Sequence, residues 1–245
     1  MKFTTRLTSL AAALAGAVLG ASASLAGPIG LIDDFSGTLA PYTATRILKA
    51  SAGNPNNVGQ WEIAGGSLQY NTSTFGGIEQ YALTRTDATL QVGEELQADY
   101  LGGNNGSQDI GLYVGAGHPT PDVRADYVNI YVRNNGQVFS RGFNGASELS
   151  LAGGGSPVVD TLFIKRTAAD AFELGYYEAG VRNVLSTRSA MSNVNIGNAI
   201  GFYADVRAAG IRGNMDNLRI VPEPATVVLA GVALLGLVAA RRRTA

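Results

Sequence analysis

The chain of 245 residues contains no cysteine, one histidine (His118) and one tryptophan (Trp61). Without cysteine it has no disulfide bonds, thiolate metal sites or cysteine nucleophiles. A single imidazole excludes zinc motifs built on two histidines. A serine triad would have to use His118, but the sequence has no Gly-x-Ser-x-Gly elbow and no glycine-rich phosphate-binding motif. These absences remove most enzyme classes.

Charged residues are also scarce, at 15% of the chain. With residues 1–26 and 221–245 set aside for the reasons given below, the body holds 13 basic and 18 acidic residues, a net charge of −5. An acidic body disfavours contact with phosphate backbones, so we expect no nucleic-acid partner. Neutral sugars and divalent cations are not excluded by this charge.

Residues 1–26 have the pattern of a secretory signal peptide, with a basic start, a short apolar core and small residues at its end. The apolar core, Leu10–Gly20, is 11 residues long, whereas a membrane-spanning helix needs about 20. We therefore expect export through the general machinery and removal by signal peptidase after Ala23 or Ala26, in preference to a permanent anchor.

The last 25 residues contain three features in a fixed order. These are Pro222, Glu223 and Pro224, an apolar run over 225–240, and the cluster Arg241, Arg242 and Arg243. As a helix, the run of 16 residues would be about 24 Å long, slightly short of a hydrocarbon core of ~30 Å that can thin locally. We predict a transmembrane helix with its arginines in the cytoplasm, the same orientation that a cleaved signal peptide requires.

This tail resembles the PEP-CTERM sorting signal of Gram-negative bacteria, in which residues 222–224 would be the processing motif and 241–243 the orientation signal. The resemblance implies export across the inner membrane, transient anchoring, and recognition by exosortase, which removes the tail. It also implies a final location at the cell surface or outside the cell, in exopolysaccharide or biofilm. A simple membrane anchor that keeps residues 225–245 is the alternative.

The body, residues 27–220, has many short segments with period-two alternation between glycine-rich turns and no long helical period. In Tyr127–Arg133, for example, Val128, Ile130 and Val132 share one face. Asn134–Gly136 after this segment favours a tight hairpin. The pattern predicts an all-β fold with a single β-sandwich domain.

Several short motifs in the body resemble the concanavalin A-like, or laminin-G-like, jelly roll. They are an opening Asp-Asp-Phe-Ser at 33–36, Gln-Trp-Glu-Ile at 60–63 before a Gly-Gly turn, Ile-Gly-Phe-Tyr at 200–203 and a closing segment at 215–220. Such sandwiches include lectins, hydrolases and inert modules, so the resemblance predicts a fold and leaves the function open.

A glycoside hydrolase is the natural enzyme hypothesis for this scaffold, and it needs two carboxyl groups beside the scissile bond. The sequence has no acidic pair at i, i+2, the spacing that points two carboxyl groups into one cleft from one strand. Carboxyl groups from separate strands could still meet. We therefore predict a non-enzymatic protein and keep hydrolysis as the alternative.

Side chains opposite the predicted core face combine aromatic rings with amide and charged groups, which suits sugar recognition. This candidate carbohydrate face consists of Tyr113, Tyr127, Asn129, Tyr131, Arg133, Tyr203 and Asp205. Tyrosine is also a favoured strand residue on half-exposed surfaces, so an ordinary surface is the competing interpretation. A third interpretation is that the module binds no ligand and only fills the matrix.

No cofactor is expected, with calcium as the one open case. Asp33 and Asp34 near the first strand and Asp216 and Asn217 near the last supply hard oxygen ligands, and terminal strands are often neighbours in jelly rolls. The competing interpretation is that these side chains cap turns or accept backbone amide hydrogen bonds.

Overall fold

The structure, a computed structural model, describes residues 30–49, 57–103 and 108–222. Sixteen strands and no helix occur in these ranges, and the strands form two eight-stranded sheets. The predicted all-β sandwich is confirmed. The predicted signal peptide at 1–26 and the predicted helix at 225–240 lie outside the described residues.

The first sheet has the order β14-β13-β12-β6-β16-β4-β3, with β1 pairing beside β16. Its strands are β1 (Leu31–Asp33), β3 (Val58–Ala64), β4 (Ser67–Thr74), β6 (Glu95–Gly102), β12 (Thr161–Ala168), β13 (Ala171–Glu178), β14 (Val181–Arg188) and β16 (Gly210–Val221). The antiparallel pairing of β1 with β16 brings the first and last strands together, as the jelly-roll resemblance implies.

The second sheet has the order β10-β9-β8-β7-β15-β5-β2, with β11 pairing β9. Its strands are β2 (Thr43–Leu48), β5 (Glu79–Arg85), β7 (Gln108–Gly115), β8 (Tyr127–Arg133), β9 (Val138–Asn144), β10 (Ser147–Glu148), β11 (Ala152–Gly153) and β15 (Ala199–Val206). The Asn-Asn-Gly segment joins β8 to β9 as predicted, and Gly136 has the positive φ, 78°, that such a turn requires.

The main core lies between the two sheets and is built from the predicted alternating positions. Val128, Ile130 and Val132 on β8 are buried in it, as are Ile200 and Phe202 on β15. Burying one side chain of this size contributes about 1.5–3 kcal/mol relative to leaving it exposed. Because side chains alternate along a strand, the residues between these point to the other face of the second sheet.

Candidate functional site

The outer face of the second sheet carries a second hydrophobic cluster, separate from the main core. We call it the tyrosine face, and it consists of Ile47, Ala82, Tyr113, Tyr127, Tyr131, Phe139, Phe143 and Tyr203. Strand pairing brings together side chains that are distant in sequence, since Tyr203 on β15 and Tyr131 on β8 both lie opposite Gly111 on β7. All four tyrosines predicted from the sequence are therefore on one face.

The rings form a continuous aromatic surface across β15, β7, β8 and β9. The Tyr113 and Tyr127 ring centroids are 5.0 Å apart with planes inclined by 29°, and Tyr131 lies 5.4 Å from Tyr203. The β9 phenylalanines extend this surface, with centroids 5.3 Å (Phe143 to Tyr127) and 6.1 Å (Phe139 to Tyr131) from their neighbours. These two phenylalanines were not predicted, although their alternation in β9 indicates that they point to the same face of the strand.

The tyrosine face is buried. The prediction that its side chains are exposed is therefore wrong. Tyr113, Tyr127, Tyr131 and Tyr203 are each at most 1% exposed. The β7–β8 loop, residues 116–126, supplies part of the cover. Alternation along a strand predicts which face a side chain points to but not which distant loop folds over that face.

Several contacts hold the loop on the sheet, including an ion pair between Asp122 and Arg46 on β2 at 2.7 Å and a hydrogen bond from the Asp122 amide to the Arg46 carbonyl oxygen at 2.8 Å. His118 Nδ1 is 2.8 Å from the hydroxyl of Thr84 on β5, and the Arg124 guanidinium lies 4.7 Å from the centroid of the Phe143 ring. On β8 itself, the Arg133 guanidinium stacks 4.0 Å from the Phe139 centroid. These contacts combine cation–π attraction with hydrogen bonding, so the cover is polar on its outer side.

Asn129 lies among the rings, opposite Tyr113 on β7 and Arg141 on β9. Its Oδ1 and Nδ2 are both buried and have no hydrogen-bond partner among the residues that the structure describes. The same holds for the Tyr127 hydroxyl and Asp109 Oδ2 on the same face. A buried polar group that lacks any partner costs about 1–3 kcal/mol, so an ordered water or a hydrogen-bonding ligand is expected at these atoms.

A pair of carboxyl groups marks one end of the face, where Asp109 on β7 lies directly opposite Asp205 on β15. Asp205 accepts hydrogen bonds from Gln80 Nε2 at 3.0 Å and from Arg207 Nε and Nη2 at 3.0 and 3.1 Å. Asp109 Oδ2 forms a longer ion pair, 3.6 Å from Arg133 Nε. Burial, followed by the charge of Asp205, raises the pKa of Asp109 to about 7.

The candidate calcium ligands lie on or beside the paired strands β1 and β16, and they form hydrogen bonds within the protein. Asp33 Oδ1 accepts from the Phe35 amide at 2.8 Å, and Asp216 Oδ1 accepts from the Asn217 amide at 2.7 Å. The Asp34 carboxylate accepts in the same way from Ser36. Among the described residues no group of three or more His, Cys, Asp or Glu side chains could hold a metal ion. We therefore derive no calcium chemistry from these residues.

The predicted sorting motif begins where the last strand ends. Pro222 directly follows β16, while Glu223, Pro224 and the three arginines lie outside the described residues. None of the described residues forms a helix long and apolar enough to cross a membrane. The prediction of a helix at 225–240 is not addressed by this finding.

Residues 221–243 match the PEP-CTERM protein-sorting motif. The chain therefore carries a protein-sorting motif that directly follows a two-sheet β-sandwich. A comparison of the chain with curated proteins finds no match.

Solved structures with a similar chain trace share few identical residues with this protein. The Ca²⁺-bound exoplasmic/lumenal domain of VIP36 is 8% identical with a TM-score of 0.48, over 79% of this chain and 89% of that chain. The potassium-bound carbohydrate recognition domain of Emp46p is 10% identical with a TM-score of 0.48, over 79% and 96%. A Bacillus subtilis protein with a galectin-like fold is 11% identical with a TM-score of 0.42, over 76% and 94%.

Proposed function

We propose that this protein is exported, sorted by exosortase to the cell surface or extracellular matrix, and associates there with polysaccharide without enzymatic activity. Sorting is supported by the motif at 221–243. Carbohydrate association is carried by one observation: the buried Asn129 amide has no hydrogen-bond partner among the described residues and is surrounded by tyrosine rings.

The chemistry of the tyrosine face suits a sugar ring. Pyranose rings have apolar faces that pack on aromatic rings and hydroxyl groups that need directed hydrogen bonds. Tyr113, Tyr131 and Tyr203 supply the rings, and Asn129 supplies a donor and an acceptor between them. Arg133 and Asp205 stand at the end of the same face. Because these side chains are buried, the β7–β8 loop must move before a saccharide can reach them.

The binding proposal is tested by retention of the purified full-length chain on immobilised neutral and acidic polysaccharides. Saturable retention that weakens by about twofold to tenfold in Tyr131→Leu is the expected result, since one aromatic stacking partner contributes about 0.5–1.5 kcal/mol beyond its buried area. Val184→Ala is the control, because Val184 is exposed on β14 of the other sheet. Failure of every polysaccharide to retain the protein would contradict the proposal.

The sorting proposal names signal peptidase, the general export machinery and exosortase as partners in processing. Mass spectrometry of the mature protein from its host tests it. The expected product begins after Ala23 or Ala26 and lacks residues 225–245. If residues 225–245 remain attached, the tail is a simple membrane anchor and processing by exosortase is wrong.

The second candidate function, glycoside hydrolysis, is favoured by the Asp109–Asp205 pair. Directly opposite positions on antiparallel strands place Cβ atoms about 4.5–5.5 Å apart, near the separation of carboxyl groups in retaining glycosidases, about 5–5.5 Å. The general acid of a glycosidase also has a raised pKa, and the pKa of Asp109 is raised. Both carboxyl groups are buried, however, and Asp205 already accepts hydrogen bonds from Gln80 and Arg207. This arrangement favours binding over catalysis.

Sugar release by the purified protein would separate the two functions. Hydrolysis predicts reducing ends from a retained polysaccharide and their loss in Asp109→Asn with retention preserved. If the protein only binds polysaccharide, no reducing ends should be released by the parent protein or by Asp109→Asn.

A further inference from the structure

Both sheets end on the same side of the sandwich, at edge strands that pair on one side only. These are β2 in the second sheet and β3 in the first. A cavity of about 340 Å³ lies between them and is lined mainly by aromatic and aliphatic side chains, among them Leu39, Tyr42, Ala44, Trp61 and Tyr81. A second hollow of about 260 Å³ adjoins it and is lined by Gly59, Gln60, Asn71 and Ser73. We call the two together the edge groove.

The two halves of the groove differ in chemistry and share the residues between them. Gly59 and Gln60 line both hollows. A Cβ atom at position 59 would lie 2.8 Å from Tyr70 Cε1 and 2.7 Å from Thr72 Oγ1, so only glycine fits without moving its neighbours. The groove is therefore an aromatic hollow that opens onto a strip of amide and hydroxyl side chains.

The inner wall is a set of packed rings. Trp61 and Tyr70 pack edge to face with centroids 5.1 Å apart, and Tyr70 stacks on Tyr81 at 5.0 Å and 30°. Tyr42 and Tyr81 are half-buried, which leaves part of each ring accessible. Burial raises the pKa of both phenols, so their hydroxyls stay protonated. The Tyr81 hydroxyl donates to Glu79 Oε2 and the Tyr42 hydroxyl is buried, so these two residues contribute ring surface to the groove.

The groove carries little uncompensated charge. Its one arginine, Arg46, forms ion pairs with Asp122 at 2.7 Å and with Glu79 at 3.3 Å. The exposed rim side chain, Gln60, is a neutral amide. An anionic ligand would have to compete with two carboxylates for Arg46. It would also meet the negative charge of Glu62, which accepts hydrogen bonds from Gln60 at 3.4 Å and from Asn71 at 3.1 Å. Accessible rings beside neutral amides suit an uncharged sugar.

We propose that the edge groove is a second binding site, for a neutral saccharide of one or two rings. Its volume is at the lower end of the range for small-molecule sites, about 300–1,000 Å³. The proposal shares its ligand class with the proposed function and rests on it in that respect only, since no residue of the groove belongs to the tyrosine face. A polymer bound at both sites would contact the protein on an edge as well as on a face.

The single tryptophan makes this site separately observable, because Trp61 lines the groove and no tryptophan lies on the tyrosine face. The full-length chain is titrated with cellotriose, maltotriose, xylotriose and chitotriose in a detergent without a sugar headgroup. Tryptophan emission and calorimetric heat are measured on the same samples. At least one trisaccharide is expected to change the emission saturably, with the same midpoint as a heat signal.

Two variants and a control assign the signal. Ala44 is exposed on β2 and lines the cavity, so Ala44→Tyr should fill the hollow and weaken the emission-linked binding at least tenfold. Gln60→Ala should weaken it about threefold to tenfold and removes only an exposed side chain. Ala64→Tyr makes the same change as the first variant at an exposed position of β3 outside the groove and should leave binding unchanged.

The failures of the two proposals are distinguishable. Binding that gives heat without an emission change and that survives Ala44→Tyr would overturn the edge groove while leaving the tyrosine face in place. The absence of both signals with every trisaccharide would overturn the edge groove, and retention on immobilised polysaccharide would then decide the proposed function alone.

Discussion

At the scale of single residues, the proposed binding face depends most on Asn129. A side chain that serves only stability should not leave both amide atoms buried without partners, because an apolar side chain of similar size would fill the position at lower cost. Asn129 has this unfavourable arrangement among the described residues. Functional positions commonly sacrifice stability in this way.

We therefore predict that Asn129→Leu raises the free energy of unfolding by about 1–2 kcal/mol, since it removes the cost of an unpaired buried amide. The same variant should lose retention on any polysaccharide that the parent protein binds. Urea denaturation and the retention assay measure the two effects. A less stable variant with unchanged retention would show that Asn129 has a structural role.

Asp109 predicts how stability depends on pH. Its pKa is about 7 in the folded chain and 3.8 ordinarily, so the folded state holds the proton more tightly than the unfolded state. Its contribution to stability is then largest below about pH 4, falls as the pH rises towards 7, and is lost above it. The positive charges of Arg133, Arg207 and Arg141 nearby lower the pKa of Asp109 but do not cancel the effect of burial.

Asp109→Asn should remove that slope. Between pH 5 and pH 8 the parent protein should lose about 1–3 kcal/mol more stability than the variant, since one pKa unit corresponds to about 1.4 kcal/mol. Urea midpoints at four pH values measure the difference. Asp87→Asn is the matched control, because Asp87 is exposed and its pKa is lowered by Arg85. Equal slopes in all three proteins would contradict the assignment.

At the scale of elements, the strands were predictable and their neighbours were not. The alternation in 127–133 predicts both the strand β8 and its core face, because a period of two depends only on local sequence. The pairing of Asp109 with Asp205 joins residues 96 positions apart, and no local pattern specifies that register. The side chains of the candidate face do share one face of the second sheet, while the pairing of Asp109 with Asp205 and the cover over the face were not foreseen.

The proposed function requires the β7–β8 loop, which supplies part of the cover, to move away from the tyrosine face. Its contact between His118 and Thr84 is one hydrogen bond, which contributes about 0.5–1.5 kcal/mol net. His118→Ala should therefore speed hydrogen–deuterium exchange in residues 116–126 by about twofold to tenfold and speed association with polysaccharide. Thr120→Ala, at an exposed position of the same loop, is the control. Unchanged exchange in His118→Ala would show that this contact does not hold the loop.

At the scale of the whole molecule, net charge limits which polymers the protein can approach. The predicted domain, residues 27–220, carries −5, and like-charged polymers are repelled over a Debye length of about 10 Å at 0.1 M salt. An anionic polysaccharide should therefore be retained poorly at low salt and better as salt screens the repulsion.

A neutral polysaccharide should behave differently, because ring stacking and amide hydrogen bonds do not depend on screening. Retention on it should change less than about twofold between 0.05 and 0.5 M sodium chloride, a range over which the Debye length falls about threefold. Parallel retention series on one neutral and one anionic polymer measure both trends. Retention that falls steeply with salt on either polymer would mean that a basic patch governs binding, and the aromatic and amide groups of the two proposed sites would then not be its main determinants.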